Sequence, residues 1–227
     1  MYYPSWLSIF INPFYFVRKG LLENIKFFAK NINGKLLDVG CGSKPYKNNF
    51  NVEEYIGIDL DNKITRERKK AEFFYDGKDL PFEKEIFDVV LCTEVIEHVF
   101  EPNKFFNEIN RVLKKKGIVF ITAPFVWDEH EQPKDFARYS SFGLEYLLKK
   151  NNFEILKHKK IVTDFSIIFQ LINGYIYRTT ENLPRLLRLS ILLPLITVSN
   201  ILGIIFGKIL PNNHDLYLSN IILAKKI

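Results

Sequence analysis

The sequence predicts a doubly wound α/β domain built on a parallel sheet. From Leu36 to Leu156, short β-rich runs alternate with longer helical patterns, which is the arrangement expected when helices cover both faces of such a sheet. Two of the runs, "FDVVLC" and "GIVFITAP", are almost continuously apolar, as strands buried on both faces are. A chain of 227 residues with 47% hydrophobic content is large enough to bury the core of one such domain.

The strands of this sheet are predicted, in chain order, at "KLLDVG", "YIGIDL", "FDVVLC" and "GIVFITAP". A helix is predicted between the last two, because Phe106, Ile109 and Leu113 recur at helical spacing. Pro102 near its start and Gly117 after a run of lysines predict the two ends of this helix.

A second helix and two further strands follow. Ser140 and Ser141 are suitable caps for the helix "FGLEYLLKKNNF", which leads into a strand around "FEILKHKKIV". After Asp164 the segments "FSIIFQLINGYIY" and "LSILLPLITVSNILGIIFG" are strongly apolar, and "HDLYLSNIILAKKI" again has the pattern of a strand. We therefore expect one domain with an aromatic-rich helical segment (1–35), a core (36–164), an apolar helical insertion (165–210) and a final strand (211–227).

The end of the first strand carries a motif that suits a nucleotide. Asp59 follows Gly40 by about twenty residues, at the end of the second strand, which is the separation found in nucleotide-binding βαβ units. Pro45 occupies the position of the third glycine of a dinucleotide fingerprint, so an NAD-linked oxidoreductase is only a distant alternative. Because the Asp38 carboxylate would repel a pyrophosphate and attract an ammonium or sulfonium group, a cationic nucleoside cofactor is favoured.

Several segments taken together carry a family resemblance. They are "LLDVGCGSKPY", "YIGIDLD", "YDGKDLPFEKEIFDVVLCTEVIEHV", "NEINRVLKKKGIVFITAP" and "DFARYSSFGLEYLLKKNNFEI". In this order they resemble the class I S-adenosylmethionine-dependent methyltransferases, most closely the group often called type 11. The resemblance implies a Rossmann-like methyltransferase sheet with an antiparallel last strand, and S-adenosylmethionine as the cofactor.

The resemblance also implies which residues bind the cofactor. Asp38, Gly40 and Gly42 would line its methionine end, and Asp59 would bind the ribose hydroxyls. Asp76 and Gly77 would approach the adenine, and the backbone around Thr93 would close the pocket. Cys41 and Leu60 complete the predicted cofactor site. Many members have a third glycine where Lys44 stands, so the loop is expected to take a different path there.

The acceptor is expected to meet the segment "PFVWDEHEQPKDFARYS", which follows the fourth strand at the carboxyl edge of the sheet. His130 is the candidate general base for a hydroxyl acceptor, and Glu129 and Arg138 are candidate substrate-binding residues. A solvated His130 and an Arg138 paired with Asp135 are the alternatives. No metal is expected, because methyl transfer from a sulfonium requires none, although Asp128, His130 and Asp135 could imitate a metal site.

Four residues near the motifs have structural roles as alternatives to functional ones. Glu97 and His98 could reach the site, or they could serve as a helix cap and a surface group. Cys41 and Cys92 are interpreted as small core residues rather than reactive thiols. Because two cysteines are too few for a disulfide framework, a reducing cytoplasm is the expected compartment.

The apolar insertion is the main indication of a membrane. Leu189 to Gly207 carries no charge over nearly the length that a bilayer requires, about 20 residues. A single crossing is excluded if the final strand rejoins the sheet, because that strand would otherwise lie on the wrong side. Arg188 and Lys208 suit an anionic cytoplasmic surface, so we expect helices that lie in the membrane interface. A helical lid or a dimer patch is the alternative.

The sequence thus predicts an S-adenosylmethionine-dependent methyltransferase that acts on an oxygen of a lipid, isoprenoid or lipid-linked glycan at the cytoplasmic membrane face. A nucleic acid is not expected as a partner, because the net charge of +6 is not gathered into a basic stripe. The alternatives are a soluble methyltransferase for a metabolite or sugar, and a non-catalytic membrane-associated module that keeps the fold. The oligomeric state is not predicted.

Overall fold

The computed structural model describes residues 2–227, in which strands and helices alternate through the central part of the chain. The elements are, in chain order, α1 (Ser8–Ile11), α2 (Tyr15–Ala29), β1 (Lys35–Val39), β2 (Glu54–Leu60), α3 (Lys63–Arg68), β3 (Phe73–Tyr75), β4 (Phe87–Thr93), α4 (Pro102–Val112), β5 (Leu113–Pro124), α5 (Ser141–Lys150), β6 (Phe153–Ile161), α6 (Ser166–Thr179), α7 (Arg185–Ile209) and β7 (Ser219–Lys226). Short 3₁₀ turns lie at Lys47–Asn49 and Ile96–His98.

The strands of the described chain form one seven-stranded sheet in the order β3-β2-β1-β4-β5-β7-β6. The pairs from β3 to β5 are parallel, and β7 is antiparallel. The predicted doubly wound fold, with an antiparallel last strand and a helical insertion before it, is therefore confirmed. The strand order reverses between β1 and β4, and open α/β sheets bind ligands at the carboxyl ends of strands at such a point.

The core of the sheet domain is formed by the apolar runs that predict its strands. Val90 and Cys92 of β4 belong to one buried cluster with Phe106 and Ile109 of α4 and Leu144 of α5. Each large apolar side chain buried in this way contributes about 1.5–3 kcal/mol by leaving water. The alternation of helix and strand in the sequence therefore becomes a sheet covered by amphipathic helices.

The predicted end of α4 is wrong. The helix begins at Pro102 as expected, but Leu113 already has extended backbone angles and pairs with Phe87 as the first residue of β5. The lysines that follow bulge out of the ladder, and the Lys114 ammonium pairs with the Asp88 carboxylate at 2.9 Å. Lys114 therefore compensates a strand carboxylate rather than the dipole of the helix. The cap of α5 is as predicted, since the Gly143 N–H donates to the Ser140 hydroxyl at 3.2 Å.

The described chain divides into two compact units. The larger unit holds the segments 25–125, 129–159 and 220–227, which include nearly all of the sheet. The smaller unit holds the segment up to Asn24, residues 126–128 and residues 160–219. It is therefore built mainly from α1, most of α2, α6 and α7.

The smaller unit buries polar side chains at its centre. The Gln170 amide donates to the Pro13 carbonyl at 2.8 Å. The Asn173 amide donates to the Asn200 side-chain oxygen at 2.9 Å, and the Asn200 amide donates to the Ile9 carbonyl at 2.8 Å. Gln170, Asn173 and Asn200 are all fully buried. The polar residues that interrupt the apolar sequence of this region therefore tie its helices to the N-terminal segment.

The outer surface of the same unit is apolar. Leu186 is 84% exposed, Ile209 is 71% exposed and Trp6 is 70% exposed. The other exposed apolar residues of α7 are Leu187, Leu189, Leu195, Val198, Ile201, Leu202, Ile205 and Phe206. Single exposed apolar residues are normal in soluble domains, but a helix that exposes this many large apolar side chains is unusual. By length and composition alone, α7 meets the requirement for a membrane-crossing helix.

Candidate functional site

A glycine turn lies at the carboxyl end of β1. Gly40 has a φ of 68°, and a Cβ added to it would lie 2.6 Å from a methyl of Val95. The N–H groups of Gly40 and Cys41 both donate to the Ile58 carbonyl, at 2.9 and 3.1 Å. Only glycine provides both the positive φ and the missing side chain at position 40, so β1 turns sharply while its backbone remains tied to β2.

A buried carboxyl group lies directly before this turn. Asp38 is buried, and the Tyr55 hydroxyl donates to its Oδ2 at 2.6 Å. Its Oδ1 has no hydrogen-bond partner among residues 2–227. Burial raises the pKa of Asp38 to about 7, against the influence of the Tyr55 hydrogen bond and the Lys44 ammonium. The Asp38 carboxyl group can therefore bind either a cation or a proton at its Oδ1.

Asp59, at the end of β2, lies next to the same turn. Its Oδ2 accepts the Gly42 N–H at 3.1 Å and its Oδ1 accepts the Leu60 N–H at 2.8 Å. Burial raises the pKa of Asp59, and the nearby Glu131 carboxylate adds to this effect. Each carboxylate oxygen can accept a second hydrogen bond, so Asp59 can still receive hydroxyl donors. The sequence prediction that Asp38 and Asp59 bracket the turn agrees with these contacts.

Lys44 stands where the family resemblance places a third glycine. It keeps a positive φ of 54°, and its nearly buried side chain turns back into the domain. There its ammonium group pairs with both oxygens of Glu72, while the Gly57 N–H donates to Glu72 at 2.6 Å. Gly57 leaves the space that the lysine stem fills. Lys44 therefore adopts the backbone conformation of a glycine and adds a buried cation behind the turn.

The remaining residues of the predicted cofactor site lie at the ends of neighbouring strands. Asp76 and Gly77 follow β3 and are exposed, and Thr93 ends β4. Leu60 ends β2 and pairs with Tyr75 of β3. Burial raises the pKa of the Cys41 thiol to about 12, which makes it unreactive as a nucleophile. Leu60, Asp76, Gly77 and Thr93 therefore lie at the carboxyl edge of the sheet, and their binding of a cofactor stays a prediction.

A second group of polar residues lies in the loop after β5. The Arg138 guanidinium donates to both oxygens of Asp135 at 2.6 Å. The backbone N–H of His130 donates to the Asp135 carboxylate at 2.8 Å, and the His130 ring Nδ1 lies 3.3 Å from the same carboxylate. The Arg138 hydrogen bonds hold the pKa of Asp135 at about 2. Arg138 therefore forms the ion pair with Asp135 that the sequence analysis gave as its alternative role. Glu129 is exposed and borders a shallow depression of about 330 Å³.

Glu97 joins His130 to the end of β4. Its side chain is 0% exposed, and its Oε1 lies 3.8 Å from the His98 Nε2 and 3.9 Å from the His130 Nε2. The two imidazole rings are 4.8 Å apart in an edge-to-face arrangement. Burial raises the pKa of Glu97 well above its usual value, and the neighbouring Glu94 carboxylate adds to this. The interpretation of Glu97 as a surface group is therefore wrong.

Comparison with known proteins identifies the region around the glycine turn. Residues 37–121 match the family described as "Methyltransferase domain". This region is a methyltransferase domain. The predicted class I methyltransferase resemblance is thus confirmed, and S-adenosylmethionine, the cofactor predicted for it, is the cofactor of this class.

Three similar proteins illustrate the match. An uncharacterized protein of Methanocaldococcus jannaschii is 30% identical over 131 residues, which are 55% of this chain and 62% of the relative. The ubiquinone biosynthesis O-methyltransferase of Pelagibacter ubique is 28% identical over 152 residues, which are 59% of each chain. Phosphoethanolamine N-methyltransferase 2 of Haemonchus contortus, solved with S-adenosylhomocysteine, has a TM-score of 0.58 at 19% identity over 97% of this chain and 56% of its own. The chain thus spans less than two thirds of each of these relatives.

The methyltransferase domain contains every residue predicted to bind the cofactor, from Asp38 to Thr93. A cationic nucleoside fits these residues, because the Asp38 Oδ1 is an acceptor for an ammonium group and, among the described residues, a Cβ on Gly42 would meet only the Arg68 guanidinium, 3.8 Å away. The predicted acceptor residues Glu129, His130 and Arg138 lie beyond the matched region, and their roles stay predictions.

The structure decides the position of Glu97 and His98, which the sequence analysis left open between the site and the surface. The motif "TEVIEHV" begins at Thr93, the last residue of β4. The 3₁₀ turn at Ile96–His98 within it brings Glu97 and His98 to His130. In the sequence, the adjacent Glu97 and His98 of this motif were the only signal for a cluster with His130. Their connection to His130 depends on the tertiary fold, because the two segments are more than thirty residues apart.

Proposed function

We propose that the chain is an S-adenosylmethionine-dependent methyltransferase that transfers a methyl group to an oxygen of a membrane-borne acceptor. The observation that carries this proposal is the buried carboxyl group of Asp38 beneath the glycine turn, with Asp59 beside it. A dinucleotide would bring its pyrophosphate to this position, where Asp38 would repel it. A nucleoside with a charged amino acid attached brings an ammonium group, which Asp38 attracts.

In this proposal S-adenosylmethionine supplies the methyl group on a sulfonium centre that is already a good leaving group. The Asp38 carboxylate holds the cofactor's ammonium end, and Asp59 accepts hydrogen bonds from its ribose hydroxyls. The main task of the chain is then to align the acceptor with the methyl group and to exclude water. Alignment of this kind is worth on the order of 7 kcal/mol in favourable cases.

The acceptor is proposed to bind where Glu97, His98 and His130 meet, beyond the end of β4. This cluster and the glycine turn both lie at the carboxyl ends of the central strands, and the Glu131 carboxylate is close enough to Asp59 to influence its pKa. A polar, partly buried cluster suits an acceptor oxygen that must lose a proton. The Pelagibacter relative is named for O-methylation, which supports oxygen as the methylated atom.

The smaller unit is proposed to rest on the membrane through its apolar face. This face exposes Leu186, Val198 and Ile209 on α7, while Gln170, Asn173 and Asn200 of the unit are buried. Burying apolar surface in the bilayer interface gains about 25 cal/mol per Å². Arg185, Arg188 and Lys208 at the ends of α7 add attraction to anionic lipid headgroups.

The path of the chain favours helices in the interface over a single crossing. A Cβ on Gly207 would lie 2.6 Å from the Asp164 Oδ1, so the end of α7 returns to the point where α6 begins. β6 precedes this pair of helices and β7 follows it, and both strands belong to one sheet. A helix that crossed the bilayer once would separate these two strands.

The test is transfer of a labelled methyl group to a membrane extract. The protein is incubated with S-adenosylmethionine labelled in its methyl group, and the products are separated by solvent extraction and analysed by mass spectrometry. We expect label in a lipid-extractable molecule, and we expect Asp59→Ala to abolish the transfer. Asp61→Ala is the matched control, because Asp61 is an exposed neighbour whose partner is Arg66. Label only in water-soluble molecules would contradict the membrane acceptor, and no transfer to any fraction would contradict the activity.

A further inference from the structure

We propose that Glu97, His98 and His130 together bind one divalent transition-metal ion on the acceptor side of the methyltransferase domain. Each residue offers one ligand atom, and these atoms all lie within 4.8 Å of one another. Nitrogen and oxygen ligands of one zinc ion lie about 2.0–2.2 Å from it, so their mutual separations are about 3.5 Å. The three side chains therefore need to move inward by only about one ångström to reach a common ion.

Both histidines turn the same ring nitrogen, Nε2, toward Glu97. The His98 Nδ1 lies 2.5 Å from the Lys134 carbonyl, which can only accept, so this nitrogen carries the proton. The His130 Nδ1 lies 3.3 Å from the Asp135 carboxylate, which favours a proton on this nitrogen, and 3.4 Å from an Arg138 nitrogen, which can only donate and favours a lone pair there. The Nε2 of His98 therefore presents a lone pair to Glu97, and the Nε2 of His130 does so in the tautomer with the proton on Nδ1. Metal-binding histidines are commonly oriented by carbonyl and carboxylate partners of this kind.

Glu97 supplies a second, independent observation. Its side chain is 0% exposed, and neither carboxylate oxygen has a hydrogen-bond partner among residues 2–227. A buried carboxylate without donors is costly. Here its Oε1 lies 3.8 and 3.9 Å from the Nε2 atoms of His98 and His130, and Glu94 adds a further acidic group nearby. A cation between these atoms would satisfy all of them at once.

The set of ligands selects the kind of ion. Two imidazoles and one carboxylate suit zinc, iron, cobalt or manganese, whereas magnesium and calcium prefer oxygen ligands alone. Three protein ligands leave a coordination position open, as in catalytic zinc sites. If the proposed O-methylation is correct, the acceptor oxygen would occupy that position, and the ion would lower the pKa of its hydroxyl.

This inference replaces two expectations of the sequence analysis. The sequence analysis expected no metal in the protein and named His130 as the candidate general base. A His130 that binds a metal through Nε2 and faces Asp135 through Nδ1 has no lone pair left to accept a proton from the acceptor. The ion then takes over activation of the hydroxyl, and Asp135 positions His130.

The test measures metal binding without cofactor or acceptor. Untagged full-length protein is treated with chelator, and cobalt(II) is then added while visible absorption and calorimetric heat are recorded. We expect one ion per chain and an absorption band typical of nitrogen and oxygen ligands. Glu97→Gln and His130→Phe should each weaken binding at least 100-fold, since changes even to outer partners cost about 10–100-fold. His158→Gln is the matched control, because His158 lies 2.7 Å from Glu145 but belongs to no group of three His, Cys, Asp or Glu ligands among residues 2–227.

Several results would overturn the inference: no cobalt binding by the wild-type protein, equal binding by the Glu97→Gln variant, or an equal loss in His158→Gln. Glu97→Gln is nearly isosteric and removes a buried charge, so its melting temperature without metal should not fall. The metal-induced rise in melting temperature should then appear only in the wild type and the control. If Glu97→Gln does not fold, the His130→Phe variant decides. Metal binding without any methyl transfer would contradict the proposed function and leave this inference standing.

Discussion

Asp38→Asn removes a titrating group from beneath the glycine turn and keeps its shape. The surroundings of Asp38 act on its pKa in both directions. Burial raises the pKa to about 7, with smaller upward contributions from the Asp59 and Glu72 carboxylates, while the Tyr55 hydroxyl and the Lys44 ammonium lower it. Because the unfolded chain has a value near 3.8, the folded protein holds this proton more tightly than the unfolded chain does.

The difference predicts how stability depends on pH. Each pKa unit is worth about 1.4 kcal/mol, so the rise from 3.8 to about 7 corresponds to about 4 kcal/mol. The penalty for ionising Asp38 is absent below pH 3.8, grows between about pH 4 and 7, and is complete above that. After allowance for the weakened Tyr55 hydrogen bond, Asp38→Asn should be about 2–4 kcal/mol more stable than the wild type at pH 8 and similar to it near pH 4. Urea unfolding at both pH values measures this.

The same group should make cofactor binding depend on pH. Only ionised Asp38 attracts the ammonium group of S-adenosylmethionine, and its ionised fraction rises about eightfold between pH 6 and pH 7.5. Calorimetry should therefore give an affinity that rises by a similar factor in the wild type and stays flat in Asp38→Asn. A flat profile in the wild type, or parallel profiles in both proteins, would refute the assignment of Asp38 to the ammonium end of the cofactor.

Two further predictions concern the turn and the membrane face. Gly40→Ala should lower the free energy of unfolding by about 1–3 kcal/mol in urea, because its φ is 68° and its Cβ would lie 2.6 Å from Val95. Gly174→Ala has open space in α6 and should instead be neutral or stabilising by up to about 1 kcal/mol, and equal losses in both would contradict the steric account. Val198→Glu should reduce co-sedimentation with anionic liposomes at least tenfold, whereas Ile64→Glu, at an isoleucine of the larger unit that is 63% exposed, should leave it unchanged. Indifference to Val198→Glu would favour burial of this face against a second copy of the chain.

The sequence predicts the fold well where the signal is local. β1, the glycine turn and Asp59 lie within one short βαβ pattern, in which apolar runs and a fixed spacing indicate the structure. Helix spacing failed at Leu113, because the same apolar residue suits the last turn of α4 and the first position of β5. Pairing with Phe87 decides between them, and no local pattern contains that partner.

The candidate site is less predictable because it depends on distant contacts. Glu97 and His98 are adjacent to polar and apolar neighbours alike, so the sequence allows either a surface cap or a buried pair. Only the fold brings them to His130 and Asp135. The apolar insertion has a similar limit, since α7 is apolar on nearly all sides. That Asn200 turns inward becomes visible only when Asn173 and the Ile9 carbonyl are placed beside it.

Calorimetric titration of the full-length chain with S-adenosylmethionine tests the central claim most directly. The account predicts one binding site per chain, at least tenfold weaker binding in Asp59→Asn, and no competition from NAD. Absence of S-adenosylmethionine binding by the folded wild-type protein, or equal affinity in Asp59→Asn, would contradict it.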